Sequence, residues 1–227
     1  MQLDRRHFCG AALSFAVAAA TISKLGTTPA AAAPGGVAGA VPLPRIGTPQ
    51  VVSATPVLAE EPLLLRRARA ALDQHAGWVT NRDRIALVDF SLPSREARMQ
   101  LLNMESGRVE QTWLVAHGRG SDPANSGFAR QFSNVPSSNA SSLGAFLTAN
   151  DYYGAHGHSR RVIGMDPENN RAWDRAIVIH GAPYVDASMA RNSGRIGRSL
   201  GCFAVEPTTI AEVLERLGPG RLLFAGN

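Results

Sequence analysis

The sequence predicts a mainly β domain with flanking helices, on the basis of three observations. Six short apolar runs between residues 85 and 180 are separated by Gly, Pro, Asn, Asp and Ser, which is typical of strands joined by turns. A helical apolar pattern stands on each side of that region, near residues 62–77 and 209–218. The 227 residues are 44% hydrophobic, which is enough for one sizeable core, and no apolar run reaches the roughly 18–20 residues of a membrane span.

The elements can be assigned in order along the chain. Pro62 is expected to begin the first helix and Gly77 to end it. Its apolar face would consist of Leu64, Ala68, Ala71, Leu72 and His75. Strands are predicted at 85–91, 100–104, 109–117, 144–148, 161–165 and 176–180, and a last one at 221–225. The final helix should begin with a capping box of Thr209 and Glu212 and end at Gly218, and its apolar stripe would be Ile210, Val213, Leu214 and Leu217.

The N terminus has the composition of an export signal. Arg5 and Arg6 precede a small and apolar run at 10–22, and an alanine-rich exit ends before Pro34. Paired arginines ahead of a weakly hydrophobic run resemble a twin-arginine (Tat) signal, although Asp4 stands where Ser or Thr is usual. A Sec signal or an amphipathic helix would also fit this composition. We therefore predict a Tat-type signal peptide over residues 1–32 and a location in the periplasm or cell envelope.

Residues 33–61 predict a flexible linker, because they are rich in Pro, Gly and Ala and show no sustained period. The remainder, 62–227, is predicted to be a single domain. Loss of residues 1–32 would remove three basic residues and one acidic residue, which lowers the net charge from +5 to +3. Such a mild excess does not favour nucleic-acid binding, and the exported chain would hold no integral membrane segment.

The exported chain would keep one cysteine, Cys202, so it could form no internal disulfide. Cys202 follows the glycine-rich segment 194–201, and His180 ends a predicted buried strand. A thiol needs a base such as histidine to act as a nucleophile near neutral pH. A glycine beside it leaves backbone N–H groups available to stabilise an oxyanion. A single cysteine is otherwise typical of a small buried core residue.

A set of short motifs in order resembles the L,D-transpeptidase (YkuD-type) family, in the branch of the murein L,D-transpeptidase catalytic domain. The motifs are His117-Gly118-Arg119-Gly120, Ser141-Ser142-Leu143-Gly144, Tyr153-Gly154, His156-Gly157, His180-Gly181, Gly197-Arg198-Ser199 and Gly201-Cys202. The resemblance implies an L,D-transpeptidase-like β-sandwich with a single catalytic domain over 62–227. It also implies a peptidoglycan L,D-transpeptidase that needs no metal and no other cofactor.

The resemblance implies a role for each matched residue. Cys202 would be the nucleophile, His180 the base that activates it, and the backbone carbonyl of Gly181 the group that orients the imidazole. The amides of Gly201 and Cys202 would form the oxyanion hole, and Ser199 would shape the turn. Implied substrate-binding residues are Arg198, His117, Ser142, Gly144, Tyr153 and His156. Leu200 and Ala204 depart from the family pattern, so the roles of the usual side chains would be either absent or taken by another group, such as Arg198.

The implied substrate is the stem peptide of peptidoglycan. The thiol would attack the carbonyl at the L-centre of a diamino acid, D-Ala would leave, and an amine of a second stem would resolve the thioester. Water as the acceptor would instead give an L,D-carboxypeptidase or endopeptidase, and the sequence leaves the acceptor and the oligomeric state open. The sequence is also compatible with a non-catalytic cell-wall-binding domain and with a zinc peptidase that uses His156, His158 and His117.

Overall fold

Apolar runs between turn residues form one continuous eight-stranded sheet in residues 61–227, the part of the chain that the computed structural model describes. The predicted signal peptide and residues 33–60 of the predicted linker lie outside the described residues. The strands are β1 (Arg84–Asp89), β2 (Met99–Asn103), β3 (Val109–Trp113), β4 (Gly144–Gly154), β5 (Gly157–Gly164), β6 (Val178–Gly181), β7 (Phe203–Val205) and β8 (Leu222–Gly226). The α-helices are α1 (Leu63–Gln74), α2 (Ala187–Ser193) and α3 (Ile210–Leu217).

The strand order across the sheet is β3-β2-β1-β8-β4-β5-β6-β7. The pairs β1–β8 and β6–β7 are parallel, and the other neighbours are antiparallel. The parallel pairs arise because a long connection separates their strands in sequence, whereas short turns join antiparallel neighbours such as β4 and β5. The short strand β7 therefore lies directly beside β6, and this pairing positions the site described below.

Strands from distant positions in the sheet meet in the main apolar core. The ring of Phe90, which follows β1, stacks on Phe203 of β7 at a centroid distance of 6.4 Å, and Phe146 of β4 meets Phe203 edge-on at 5.2 Å. Beyond β3 the chain turns toward β7, where the Ala116 N–H donates to the Ala204 carbonyl. The predicted fold, mainly β with flanking helices in the manner of a sandwich, is confirmed.

The helices cover both faces of the curved sheet. Leu65, Ala68 and Leu72 of α1 pack against the outer face, in a cluster that includes Ile85 of β1 and Phe224 of β8. The apolar stripe of α3, which includes Val213, Leu214 and Leu217, is buried in the main core. Full burial of one such leucine contributes about 1.5–3 kcal/mol. Within residues 61–227 no helix is long and apolar enough to span a membrane.

The predicted capping box of α3 is wrong. The Thr209 hydroxyl donates to the Glu206 carbonyl oxygen instead of capping the helix, and Thr209 makes no side-chain cap. The Glu212 carboxylate accepts hydrogen bonds from the side chains of Gln111 and Trp113 on β3. The Glu212 side chain, which the capping-box pattern placed at the N terminus of α3, therefore links α3 to β3.

Candidate active site

The β6–β7 pair brings the predicted nucleophile and base to one cavity. His180 lies in β6 opposite Ala204 of β7, and Cys202 directly precedes β7. Both residues line a cavity of about 490 Å³. Its wall consists of Arg119, His156, Arg175, Ala176, His180, Tyr184, Arg198, Ser199, Leu200 and Cys202. His180 and Cys202 are distant in sequence, but they line the same cavity because β6 and β7 pair as parallel strands.

The His180 imidazole is held in one orientation and one tautomer. Its Nδ1 donates to the backbone carbonyl of Gly181 at 2.9 Å, so in the neutral ring Nε2 is left as the basic nitrogen. The ring of His156, from the turn between β4 and β5, stacks on it with a centroid distance of 4.2 Å. Burial lowers the pKa of His180, and the neighbouring His156 lowers it further, while the bond to Gly181 opposes the shift. The imidazole is therefore neutral near pH 7.

The Cys202 thiol is half-buried and protonated in the resting structure. Its hydrogen bond goes to the Ala176 carbonyl oxygen, at a Sγ–O distance of 3.7 Å. Burial raises the pKa of the thiol above its usual value of 9.0, although the backbone N–H of Val178 and the positive charge of Arg175 act in the opposite direction. The thiol and the His180 imidazole are thus both neutral in the resting structure.

The turn that precedes Cys202 is built around Ser199. The Ser199 hydroxyl donates to the Cys202 carbonyl oxygen at 2.8 Å and accepts from the Gly201 N–H at 3.1 Å. Ser199 therefore shapes the turn, in the position implied for it. Of the two amides implied for the oxyanion hole, that of Gly201 thus has a hydrogen-bond partner within the turn.

Gly201 has no room for a side chain. Its φ is +114°, and a Cβ there would lie 2.7 Å from the Ala140 carbonyl oxygen and 2.9 Å from the Ile177 Cδ1. We expect Gly201→Ala to destabilise the domain by about 1–3 kcal/mol and to displace Cys202, since both the backbone conformation and the backbone contact are unfavourable. Urea unfolding measures the loss, and Gly77→Ala, where no atom lies within 4 Å, is the matched control. Equal stability of the two variants would contradict this description of the turn.

His117 was implied to bind substrate, but it does not line the cavity in this structure. The ring is fully buried, its Nδ1 lies 2.7 Å from Nη2 of Arg98, and its Nε2 lies 3.4 Å from the Asp122 carboxylate. Its backbone carbonyl accepts from the Ser199 N–H at 2.9 Å. The backbone of His117 therefore supports the turn that precedes Cys202.

The stability of the domain should fall as the pH drops from 6.5 to 4. Burial, and then the charge of Arg98, lower the pKa of His117 from 6.5 to about 4. The unfolded chain binds the proton first, so acid favours unfolding by about 3 kcal/mol over that range. His180, whose pKa is also lowered, adds a change of the same sign. Urea unfolding at several pH values tests this, and His117→Gln should reduce the slope; a stability independent of pH here would contradict it.

The remaining implied substrate-binding residues separate into two groups. Arg198 and His156 line the cavity, and Nη1 of Arg198 donates to the backbone carbonyl of Asp122. Ser142, Gly144 and Tyr153 do not line it. Ser142 is buried and accepts from Arg175, Gly144 opens β4, and Tyr153 is 81% exposed and stacks on His158. A direct substrate contact by these three residues is not supported by their positions.

Four residues of the cavity wall were not assigned a role from the sequence: Arg119, Arg175, Ala176 and Tyr184. Burial raises the pKa of Tyr184 to about 12, so its phenol stays protonated. Arg175 and Ala176 lie just before β6, the strand of His180, and this closeness in sequence is the signal that could have found them. Residues 61–227 contain no cluster of three or more His, Cys, Asp or Glu side chains that could hold a metal ion.

Solved structures give distant matches. An L,D-transpeptidase from Mycobacterium smegmatis is 13% identical, with 64% of this chain and 59% of that chain covered and a TM-score of 0.39. An L,D-transpeptidase from Xylanimonas cellulosilytica is 19% identical, with 70% of this chain and 68% of that chain covered and a TM-score of 0.37. L,D-transpeptidase 3 from Mycobacterium tuberculosis, in complex with a faropenem-derived adduct, is 9% identical, with 64% of this chain and 60% of that chain covered and a TM-score of 0.40. The chain thus spans about three-fifths of the length of the first of these. No residue role is transferred from matches this distant.

Sequence comparison with protein families is more decisive. No curated protein matches the chain at a significant level. The profile of the L,D-transpeptidase catalytic domain matches residues 61–225, which include nearly all of the described fold, the His180–Gly181 pair and the turn of Cys202. A match over most of the chain shows common descent, and the chain therefore belongs to the L,D-transpeptidase catalytic domain family.

Proposed function

We propose that the protein is a peptidoglycan L,D-transpeptidase in which Cys202 is the nucleophile and His180 the base. The observation that carries the proposal is the shared cavity, where a half-buried thiol and an imidazole with a free basic nitrogen lie on neighbouring strands. Membership in the L,D-transpeptidase family supplies the reaction class. The stem peptide of peptidoglycan, which ends in D-Ala, is the proposed acyl donor.

The first half-reaction starts from the neutral pair. As Sγ of Cys202 attacks the carbonyl at the L-centre of the diamino acid, Nε2 of His180 accepts the thiol proton. The carbonyl oxygen becomes an oxyanion, which the Cys202 amide N–H stabilises. The bond to D-Ala then breaks, the imidazolium protonates the departing amine, and a thioester remains on Cys202. The bond from Nδ1 to Gly181 holds the ring in place while it gains and returns the proton.

In the second half-reaction the amine of another stem attacks the thioester. His180 accepts the amine proton and returns it to the sulfur, so the enzyme is regenerated and a new amide is formed. Water in place of the amine gives a tripeptide, which is the activity of an L,D-carboxypeptidase. Two arginines of the cavity wall, Arg119 and Arg198, suit the carboxylates of stem peptides, because a guanidinium can pair with both carboxylate oxygens. We propose a location in the periplasm or cell envelope on the grounds of the predicted N-terminal signal peptide.

Incubation of the purified protein with disaccharide-tetrapeptides tests this function. We expect cross-linked dimers together with one free D-Ala for each bond made, both quantified by liquid chromatography and mass spectrometry. Tripeptides without dimers would identify a carboxypeptidase on the same site. Binding to the cell wall with neither product would identify a non-catalytic module and overturn the proposal.

A chelator separates the cysteine mechanism from that of a zinc peptidase. The proposed steps need no metal, so EDTA should leave dimer formation unchanged, whereas a thiol-directed reagent should abolish it. Loss of activity with EDTA and its recovery with zinc would contradict the cysteine mechanism. A carbapenem should also acylate Cys202, since the chain belongs to the L,D-transpeptidase family.

A further inference from the structure

The guanidinium of Arg175 is a half-buried positive charge in the wall of the catalytic cavity. Its Nη1 donates to the Ser133 carbonyl oxygen at 2.7 Å and to the Ser142 hydroxyl at 2.6 Å. Its Nη2 donates to the Ala140 carbonyl oxygen and, at 3.5 Å, to the Ser138 hydroxyl. These acceptors are all neutral, and within residues 61–227 no carboxylate forms an ion pair with Arg175.

A cation that is partly removed from water is costly unless a negative group compensates for it. Burial lowers the pKa of Arg175, and the charge that acts against this shift is that of Cys202. The effect is mutual, because the charge of Arg175 lowers the pKa of the thiol. A negative group that can offset the charge of Arg175 is therefore the thiolate of Cys202, which forms only when the thiol loses its proton.

The turn that carries the thiol packs directly on this guanidinium. A Cβ at Gly201, the residue before Cys202, would lie 3.1 Å from Nη2 of Arg175. On the other side, the Ala176 carbonyl, adjacent to Arg175 in sequence, accepts the hydrogen bond of the thiol. The four bonds from Arg175 to segment 133–142 fix the guanidinium between that segment and the turn of Cys202.

We propose that Arg175 is a positioning residue that holds a fixed positive charge beside the sulfur of Cys202 and stabilises the negative charge that the sulfur acquires when its proton leaves. The inference deepens the proposed function, on which it rests for the identity of the nucleophile. The sequence suggested Arg198 as a substitute for the side chains that the family usually has at the positions of Leu200 and Ala204. The guanidinium of Arg198 is instead tied to the backbone of Asp122.

Alkylation of Cys202 by iodoacetamide tests the inference without reference to transpeptidase activity. The rate is measured from pH 7 to 10 on the full chain, and peptide mass spectrometry separates Cys202 from Cys9. We expect Arg175→Gln to move the rate profile to higher pH and to slow alkylation at pH 8 by about tenfold, because only the thiolate reacts. Arg171→Gln removes an exposed arginine of the same turn and should leave the profile unchanged.

Two further variants separate the charge of Arg175 from its role as a tether. Arg175→Lys keeps the charge and loses most of the hydrogen bonds, and Ser142→Ala removes one bond and keeps the charge. Both should retain the wild-type alkylation profile within about threefold at pH 8. If Arg175→Gln does not fold, Arg175→Lys decides. A profile unchanged in Arg175→Gln, or shifted by a full pH unit in Arg175→Lys, would overturn the inference, even if the wild-type protein makes cross-linked dimers.

Discussion

Replacement of Cys202 by alanine should lower the rate of dimer formation from disaccharide-tetrapeptides by at least about 10³-fold, because the wall of the cavity contains no second thiol to form the thioester. The chain contains a second cysteine, Cys9, in the predicted signal peptide, and Cys9→Ala is the matched control that should retain full activity. Chromatographic quantification of the dimers measures both variants. Retention of activity in Cys202→Ala would show that the thiol is not the nucleophile.

The second large effect concerns the dependence of acylation on pH. Burial lowers the pKa of His180 below 6.5 and raises that of Cys202 above 9.0, so between these values the imidazole is neutral and the thiol protonated. If His180 removes the proton during the attack, the rate of acylation should be nearly constant from pH 6.5 to 9 and fall only at lower pH, where the imidazole becomes protonated.

Stopped-flow measurement of acylation gives this profile, and His180→Gln should slow the reaction at pH 7 by about 10²–10⁴-fold. In that variant the thiolate alone can react, so the rate should increase about tenfold per pH unit toward pH 9. A wild-type rate that also increases tenfold per unit would show that a preformed thiolate is the nucleophile and that His180 is not the base.

Much of the fold could be predicted because it depends on local patterns. The apolar face of α1 and the stripe of α3 repeat at helical spacing, and strands such as β1 and β8 are continuous apolar runs between turn residues. The helix α2 was not predicted, because its seven residues are too short for a periodic signal. Asp186 at its N-cap and Gly194 at its C-cap specify it instead.

The strand β7 was also not assigned. Its three residues, 203–205, were recognised only as an apolar run, and their pairing with β6 depends on contacts between segments distant in sequence. The same limit explains the extension of the β4–β5 hairpin, whose polar outer residues carry no strand pattern. Tertiary pairing, rather than propensity, determines these elements.

Some residues of the candidate site could likewise be predicted from local patterns, whereas others depend on tertiary contacts. Cys202 and His180 could be proposed because their residue types and glycine neighbours indicate the chemistry, and Ser199 because its motif resembles that of the L,D-transpeptidase family. Arg175 could not, since its role depends on the segment 133–142 folding over the turn of Cys202. His117 shows a different limit: its motif indicated a place near the substrate, but its burial against Arg98 depends on tertiary packing that the sequence does not reveal.

In the proposed mechanism the sulfur of Cys202 carries the acyl group. Mass spectrometry of the protein after acid quenching during turnover of a tetrapeptide stem tests it most directly. We expect an adduct with the mass of the donor less D-Ala, located by peptide mapping on Cys202 and released by hydroxylamine as a thioester should be. Turnover with no adduct, or with the acyl group on a residue other than Cys202, would contradict the account.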